Sequence, residues 1–253
     1  MAGAAVLGRL RPLVWQLGEV TELVDETPEV KTLVLDVPDW PGHLAGQHVD
    51  IRLTAEDGYQ AQRSYSIASP PEDRRLAITV ERLEDGEVSP YLTEELVVGD
   101  MLELRGPIGG YFVWSAEGDG PAFLVGGGSG VVPLMSMLRH RAASGSSVPM
   151  RLLYSAKTEA SLIYRRELDE LGGRGNGLEV VYTLTREERS GWAGRTGRVD
   201  RELLRELAWP AAEGPLAFVC GPTGFVEAVS SALVELGLPP QGVKTERFGP
   251  TGG

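Results

Sequence analysis

The residues that most clearly suggest a binding site form a glycine-rich turn, 126–130, directly after the apolar run 122–125. A helical pattern follows, with Pro133 in its first turn. Glycine lets main-chain N–H groups approach a ligand closely, and a helix N-terminus attracts anions. The spacing is G-G-x-G-x-x-P, with Pro133 where a G-x-G-x-x-G motif would end. We predict a nucleotide diphosphate site, with a ligand-free turn as the alternative. The glycines predicted to contact the nucleotide are Gly127, Gly128 and Gly130.

A second anion site is predicted in the segment 86–92, which reads G-E-V-S-P-Y-L. Ser89 is a favourable N-cap and Pro90 suits the first position of a short helix, expected over 91–97. Simple capping is the alternative explanation of the same residues.

Cysteine and histidine are too scarce to favour a metal centre. The chain has one cysteine, Cys220, and three histidines, His43, His48 and His140. A disulfide needs two cysteines, and iron–sulfur or structural zinc sites usually take about four ligands, mostly Cys. We therefore expect no metal. Taken alone, Cys220 would be a small core residue at the end of a buried strand.

Short alternating runs divided by turn residues fill the first half of the chain. They occupy 30–37, 48–53, 63–69, 76–83 and 101–107. Such spacing predicts an antiparallel barrel or sandwich.

The second half alternates apolar strands with helical patterns. The strands are expected at 122–126, 150–155, 178–184 and 216–221, and the helices at about 131–143, 160–171, 200–207 and 223–236. Buried strands joined through helices predict a doubly wound parallel sheet. The segment 115–121 divides two domains, 1–114 and 115–253, and a final short strand should follow the last helix.

The overall charge excludes some partners. The 253 residues carry a net charge of −12, so the chain has no global basic field for nucleic acid or an anionic membrane. No apolar run approaches the ~18 residues of a membrane helix. We expect a cytoplasmic protein, and a monomer.

The chain resembles the ferredoxin–NADP reductase superfamily, because it contains four motifs of that family in the expected order. They are R-S-Y-S-I at 63–67, the G-G-x-G-x-x-P turn, C-G-P at 220–222 and E-R-F-G-P at 246–250. The resemblance covers about residues 14–250. It implies a six-stranded Greek-key FAD-binding barrel with one short helix, followed by a nicotinamide-nucleotide domain.

The resemblance also implies roles for residues of the barrel. Arg63 would pair with the FAD diphosphate, Tyr65 would stack on the flavin ring, and Ser66 would lie near flavin N5. Without the resemblance, Arg63 is explained as a surface ion-pair partner and Tyr65 as an ordinary strand aromatic. The other residues implied to contact FAD are Ser64, Ile67, Val80, Gly86, Glu87, Val88 and Ser89.

In the second domain, the resemblance implies that Cys220, Gly221 and Pro222 place a thiol and a tight turn beside the nicotinamide. Cys220 would position the ring rather than act as a nucleophile. Glu246 would complete a polar cluster with Ser66 and Cys220, and Phe248 would cover the other flavin face. We count Ser66, Cys220, Glu246 and Phe248 as the candidate catalytic residues. A disordered tail is the alternative, because Pro250 and three glycines follow from position 249 on.

The choice of nicotinamide nucleotide rests on a locally basic stretch. Residues 183–198 hold four arginines and two glutamates, and Thr185-Arg186 resembles a pair found in NADPH-specific relatives. Cations suit the 2′-phosphate of NADPH, whereas NADH sites usually place a carboxylate on the ribose. We predict NADPH, with NADH as the alternative if Glu159 or Glu187 turns inward. The predicted contacts are Ser155, Thr185, Arg186, Arg195 and Arg198.

The function that the resemblance implies is hydride transfer from NADPH to FAD, then single electrons to a separate acceptor such as a ferredoxin or oxygenase component. A basic patch of Arg74, Arg75, Arg82 and Arg105 is a candidate docking surface for an acidic ferredoxin. A free-flavin or ferric reductase, an electron-transfer subunit of a larger complex and a redox-inactive binding module are the alternatives.

Overall fold

The computed structural model describes residues 13–118, 120–186, 191–192 and 194–249. Two six-stranded sheets dominate them, the first antiparallel and the second parallel. The predicted fold class, a β-barrel followed by an α/β domain, is therefore confirmed. Within these ranges no helix has the length and apolar character needed to cross a bilayer.

The first sheet closes into a barrel. Its strands follow the order β4-β3-β6-β1-β2-β5, and a bridge between Ile67 and Ile78 joins the two outer strands. Alternate residues such as Leu33, Ile51 and Leu104 are fully buried inside, as expected for strands with one apolar face. The strands are β1 Gln16–Thr27, β2 Val30–Asp36, β3 His48–Thr54, β4 Gln60–Ser66, β5 Leu76–Glu81 and β6 Met101–Ile108.

The short helix of the barrel differs from its prediction. It is a single π-helical turn, Tyr91–Glu95, in which the Leu96 N–H donates to the Tyr91 carbonyl. Ser89 does not cap it, because the Ser89 hydroxyl accepts the Leu83 N–H at 3.0 Å. Ser89 therefore ties the 83–89 loop together instead.

The second sheet is parallel, in the order β10-β9-β8-β7-β11-β12. Leu124 and Phe218 belong to the core on one face, and Phe123 and Val219 to the core on the other, which is why these strands read as continuous apolar runs. The strands are β7 Ala122–Gly127, β8 Met150–Ala156, β9 Leu178–Leu184, β10 Arg195–Thr196, β11 Leu216–Pro222 and β12 Val243–Phe248.

Helices cover both faces of this sheet. They are α1 Val131–Ala143, α2 Arg165–Gly172, α3 Arg201–Leu207 and α4 Thr223–Glu235. The helix expected over 160–171 is broken, because the chain turns to bury Leu162, Ile163 and Tyr164 before α2 begins. The strand order reverses between β7 and β11. A crevice at the carboxyl ends of strands, at such a switch point, is where doubly wound sheets bind ligands.

The two sheets are held together along α1. The Ser136 hydroxyl donates to the Ser69 carbonyl at 2.7 Å, and Arg139 donates to the Ala68 carbonyl at 2.9 Å. Trp114 packs edge-on to His140 of α1, with ring centroids 5.5 Å apart. The division at 114/115 remains our proposal. It lies between the last barrel strand and β7.

Candidate active site

The carboxyl ends of β11 and β12 meet the barrel where β3 and β4 are paired. Within the barrel, Ser66 lies opposite His48, and within the parallel sheet, Cys220 lies opposite Glu246. The two sheets touch through His48 and Glu246, whose Nδ1 and Oε1 atoms are 3.7 Å apart. Three candidate catalytic residues therefore belong to strand pairs that this contact joins. His48, which the sequence analysis gave no role, makes the link.

Burial controls the protonation of this cluster. It raises the pKa of Glu246 to about 7, because a carboxylate loses hydration there. It lowers the pKa of His48, and the carboxylate of Asp50 opposes that effect. The Glu246 Oε2 atom is buried and has no hydrogen-bond partner within the described part of the chain. The site can therefore hold a proton near neutral pH.

Cys220 is a neutral thiol rather than a thiolate. It is fully buried, and its pKa is raised well above the usual range, first by burial and then by the negative charge of Glu246. A thiol in this state is a poor nucleophile. Its chemistry suits the positioning role predicted for it.

The predicted glycine turn lies at the switch point between β7 and β11. A Cβ at Gly130 would lie 2.2 Å from the Cys220 carbonyl oxygen, so only glycine allows the turn to approach β11 this closely. A Cβ at Gly127 or Gly221 would meet the Phe225 ring at 2.9 or 2.8 Å. Gly128, at φ +56°, faces open space. The arrangement fits a dinucleotide diphosphate at the start of α1.

Phe225 lies beside the switch point and was not predicted from the sequence. It lies in the first turn of α4, and its ring covers Gly127 and Gly221. An aromatic residue three positions after the C-G-P motif was the available signal. Pro133, in contrast, is buried in the first turn of α1, where a missing N–H costs no helical hydrogen bond.

On the barrel, Arg63 is ion-paired to Glu87. The Arg63 Nη2 to Glu87 Oε2 distance is 2.7 Å, and the Tyr59 hydroxyl donates to the other carboxylate oxygen at 2.8 Å. Arg63 also donates to the Gln62 carbonyl. The guanidinium is half exposed, so it can turn toward a diphosphate. The Glu87 carboxylate already occupies the side of the guanidinium that a diphosphate would take.

The remaining predicted FAD contacts differ in accessibility. Ser64 donates to Asp50 at 2.6 Å, and burial raises the pKa of Tyr65 to about 12. The side chains of Ile67, Val80 and Val88 are buried in the barrel core, which leaves their main chain for ligand contacts. Gly86 packs tightly, because a Cβ there would lie 2.8 Å from the Ser89 hydroxyl.

The predicted nucleotide contacts lie along the carboxyl edge of β8 and β9. Ser155 is buried near the end of β8, and Thr185 donates to the Ala156 carbonyl at 3.3 Å. Arg195 is ion-paired to Glu206. Arg186 and Arg198 are exposed and form no ion pair with the described residues.

The NADH alternative depends on two glutamates, Glu159 and Glu187. Glu159 forms an ion pair with Arg165 at 3.5 Å. Glu187, the other glutamate that could turn inward for NADH, lies outside the described residues, as do Glu188 and Arg189.

The docking patch predicted for an acidic partner is not a free basic surface. Arg75 pairs with Glu22 and Arg105 pairs with Asp50, at 3.3 and 3.0 Å. Arg82 pairs with Glu94. These three cations are neutralised at separate positions on the barrel. The prediction failed because sequence alone does not show which carboxylates the strand pairing brings beside each arginine.

Phe248 ends β12 opposite Pro222 and packs, half-buried, against the core of the nucleotide domain. Gly249 follows at φ +105°, a value that glycine adopts readily. Pro250 and the rest of the tail lie outside the described residues.

The comparisons with known proteins match both halves of the chain. The family described as "Oxidoreductase FAD-binding domain" matches residues 18–113, and "Oxidoreductase NAD-binding domain" matches 124–231. Ferredoxin–NADP reductase B of Sorangium cellulosum is 36% identical over 230 residues, which are 88% of this chain and 93% of that one. The glycine betaine monooxygenase reductase subunit of Chromohalobacter salexigens is 34% identical, over 91% of this chain and only 63% of that subunit.

Solved structures agree in fold. The FAD/NAD-binding domain of nitric oxide dioxygenase from Vibrio cholerae superposes with a TM-score of 0.83 at 27% identity, covering 93% of this chain and 99% of that one. A cytochrome P450 reductase from Amycolatopsis gives 0.84 at 28% identity, covering 98% of this chain and 74% of that one.

Proposed function

This chain belongs to the ferredoxin–NADP reductase superfamily, and from that premise we propose that it takes hydride from NADPH onto a bound FAD and passes single electrons to a separate acceptor. Its FAD- and NAD-binding halves make it an NAD(P)H-dependent flavoprotein reductase. The preference for NADPH and the nature of the acceptor are the proposed part.

One observation carries the proposal. The end of the barrel that bears R-S-Y-S touches the end of the parallel sheet that bears C-G-P and E-R-F, through the 3.7 Å contact between His48 and Glu246. A reductase of this kind needs a flavin ring held by one domain to face a nicotinamide held by the other. This contact supports that arrangement.

The barrel supplies the proposed FAD contacts. Arg63 would bind the diphosphate through its planar guanidinium, Tyr65 would stack on the ring, and the main chain of 86–89 would approach the phosphates. FAD, when bound, accepts two electrons as hydride and releases them singly.

The nucleotide domain would orient the nicotinamide. The turn at 128–130 and the N-terminus of α1 would face the diphosphate, while Cys220 and the Gly221-Pro222 turn would lie beside the nicotinamide ring. Phe248 would shield the flavin face until the nicotinamide displaces it. Glu246 would hold or release a proton beside these groups.

The arginines after β9 give a test of the NADPH preference. We expect the double substitution Arg186→Ala, Arg198→Ala to weaken NADPH binding by roughly 10- to 100-fold, because each removes a charged hydrogen bond to the 2′-phosphate. NADH binding should change by less than about twofold, since NADH lacks that phosphate. Titration of the protein with each nucleotide gives both affinities.

Arg195→Ala is the internal control for this pair, because Glu206 already neutralises Arg195. Its effect on NADPH should be smaller. Equal losses for NADH and NADPH in the double variant would mean that these arginines stabilise the domain and do not read the phosphate.

The acceptor is proposed to be a ferredoxin or an oxygenase component. Relatives that are 34% and 31% identical are reductase components of a glycine betaine monooxygenase and of a 3-ketosteroid-9-alpha-monooxygenase. The chain spans 63% and 64% of those proteins, so their partners come to this chain only as a hypothesis.

A second candidate, a reductase that uses FAD or another flavin as an exchangeable substrate, is favoured by the ion pair between Arg63 and Glu87. Because Glu87 competes with the diphosphate for Arg63, FAD should bind less tightly than the rest of the site allows. The two candidates differ in whether FAD stays bound.

Glu87→Gln should therefore tighten FAD binding by up to about fivefold, the range in which exposed ion pairs act. Quenching of FAD fluorescence measures this affinity. Tyr59→Phe is the matched control: it removes the 2.8 Å hydrogen bond but keeps the carboxylate, so FAD affinity should barely change. Weaker FAD binding in Glu87→Gln would show that Glu87 helps to hold FAD.

The proposed function is tested by the visible spectrum of the chain reconstituted with FAD and then passed over a gel-filtration column. A yellow protein that reduces a one-electron acceptor in the presence of NADPH supports it. Complete loss of FAD favours the second candidate, and a chain that never binds FAD excludes both.

A further inference from the structure

The contact between β3 and β12 brings together two partly buried titratable groups from different domains. His48 Nδ1 and Glu246 Oε1 are 3.7 Å apart, and about three quarters of each side chain is covered. The second Glu246 oxygen, Oε2, is buried without a hydrogen-bond partner in the described ranges. A buried carboxyl oxygen in this state is costly if ionised and tolerable if protonated.

The neighbouring charged and titratable groups have other partners. Asp50, on the strand of His48, accepts hydrogen bonds from Ser64 and Arg105 at 2.6 and 3.0 Å. On the strand of Glu246, Lys244 donates to the Val113 carbonyl and Arg247 to the Thr245 hydroxyl.

The remaining neighbours contribute no charge that could replace His48. From β11, the Glu246 carboxyl faces the neutral thiol of Cys220. Gly109, which follows β6, places no side chain beside the His48 ring, where a Cβ would lie 3.6 Å from Nδ1. His48 is therefore the base that faces Glu246 from the barrel.

We propose that His48 and Glu246 form an electrostatic pair across the domain junction, in which the charge of each group depends on the protonation of the other, and that His48 is a positioning residue which sets the charge of Glu246 beside Cys220. The role in the reductase rests on the proposed function, whereas the pairing itself does not. Moving the proton from the carboxyl to the imidazole turns two neutral groups into an ion pair without changing the net charge of the site.

Burial and the charge of the partner together set the protonation of the two groups. Burial alone raises the pKa of Glu246 to about 7 and lowers that of His48, so each group by itself favours its neutral form. The attraction between the two groups acts against burial: an ionised Glu246 raises the pKa of His48, and a protonated His48 lowers the pKa of Glu246.

The test is an NMR titration of the full chain, following the Cε1–Hε1 signals of His43, His48 and His140. In Glu246→Gln the titration midpoint of His48 should move to lower pH, while His43 and His140 keep theirs. In the reciprocal variant His48→Gln, the carboxyl ¹³C signal of Glu246 should titrate at higher pH. Both measurements are made without FAD or nucleotide, so they can succeed or fail independently of the proposed function.

Glu72→Gln is the matched control, because Glu72 pairs with His140 at 2.7 Å. It should change the chemical shift of His140 and leave His48 unaltered. If Glu246→Gln does not fold, Glu246→Asp withdraws the carboxylate by one methylene, and a smaller shift in the same direction is expected. An unchanged His48 midpoint in the folded variant overturns the proposal.

A second readout separates this role from a structural one. With FAD bound, His48→Gln should move the pH at which the reduction rate by NADPH changes, and not merely lower the rate at every pH. A uniform loss would mean that His48 only supports the fold.

Discussion

Arg63→Ala is expected to weaken FAD binding roughly 100-fold, near the upper end of the ~1.5–3 kcal/mol that a hydrogen bond to a charged group contributes. Arg63 is the proposed diphosphate ligand and is half exposed beside the 86–89 loop. FAD fluorescence quenching on the full chain measures the loss. Arg63→Lys should give an intermediate affinity, because it keeps the charge but not the planar fork.

The control is Arg52→Ala on the neighbouring strand β3. Arg52 is also paired to a carboxylate, with two hydrogen bonds of 2.9 Å to Glu103. If Arg52→Ala and Arg63→Ala weaken FAD binding equally, the effect comes from barrel stability and Arg63 is not a ligand.

Gly130→Ala is expected to destabilise the nucleotide domain by about 3 kcal/mol or more, at the upper end of the cost of overpacking. The added Cβ would lie 2.2 Å from the Cys220 oxygen and 2.5 Å from the Cys220 carbonyl carbon. These are main-chain atoms, so a rotamer change cannot relieve the clash. Thermal unfolding followed by circular dichroism should show a lower Tm, and protein that remains folded should bind NADPH at least about tenfold more weakly.

Gly224→Ala serves as the comparison for this variant. Gly224 lies in the first turn of α4, and a Cβ there would meet no atom within 4 Å apart from its chain neighbours and its own helix. Because alanine favours helices over glycine by up to about 1 kcal/mol, Tm should stay the same or rise. A Gly130→Ala variant as stable as Gly224→Ala would mean that the close approach to Cys220 is not needed.

Periodicity and local motifs in the sequence were enough to predict the strands of the second sheet and the glycine turn. The apolar runs at 122–126 and 216–221 identify parallel strands because both faces of the second sheet are covered. The glycine turn at 126–130 was located for the same local reason. Family resemblance added Cys220 and Glu246, and the register of β11 with β12 places them opposite each other.

What the sequence could not predict depends on how distant segments meet. The ion pair of Arg63 with Glu87 joins residues 24 positions apart, and the contact of His48 with Glu246 joins two domains. The break before α2 arises because three apolar side chains, 162–164, are buried instead of continuing the helix. Each of these outcomes is decided by tertiary packing rather than by local propensity.

The central claim is that the two domains bring NADPH and FAD together for hydride transfer. It is tested most directly by anaerobic rapid mixing of the FAD-loaded chain with NADPH, and separately with NADH. The account predicts that NADPH bleaches the visible flavin absorbance in a single turnover, with a higher kcat/KM than NADH in steady-state turnover. Flavin that stays oxidised with both nucleotides would contradict it.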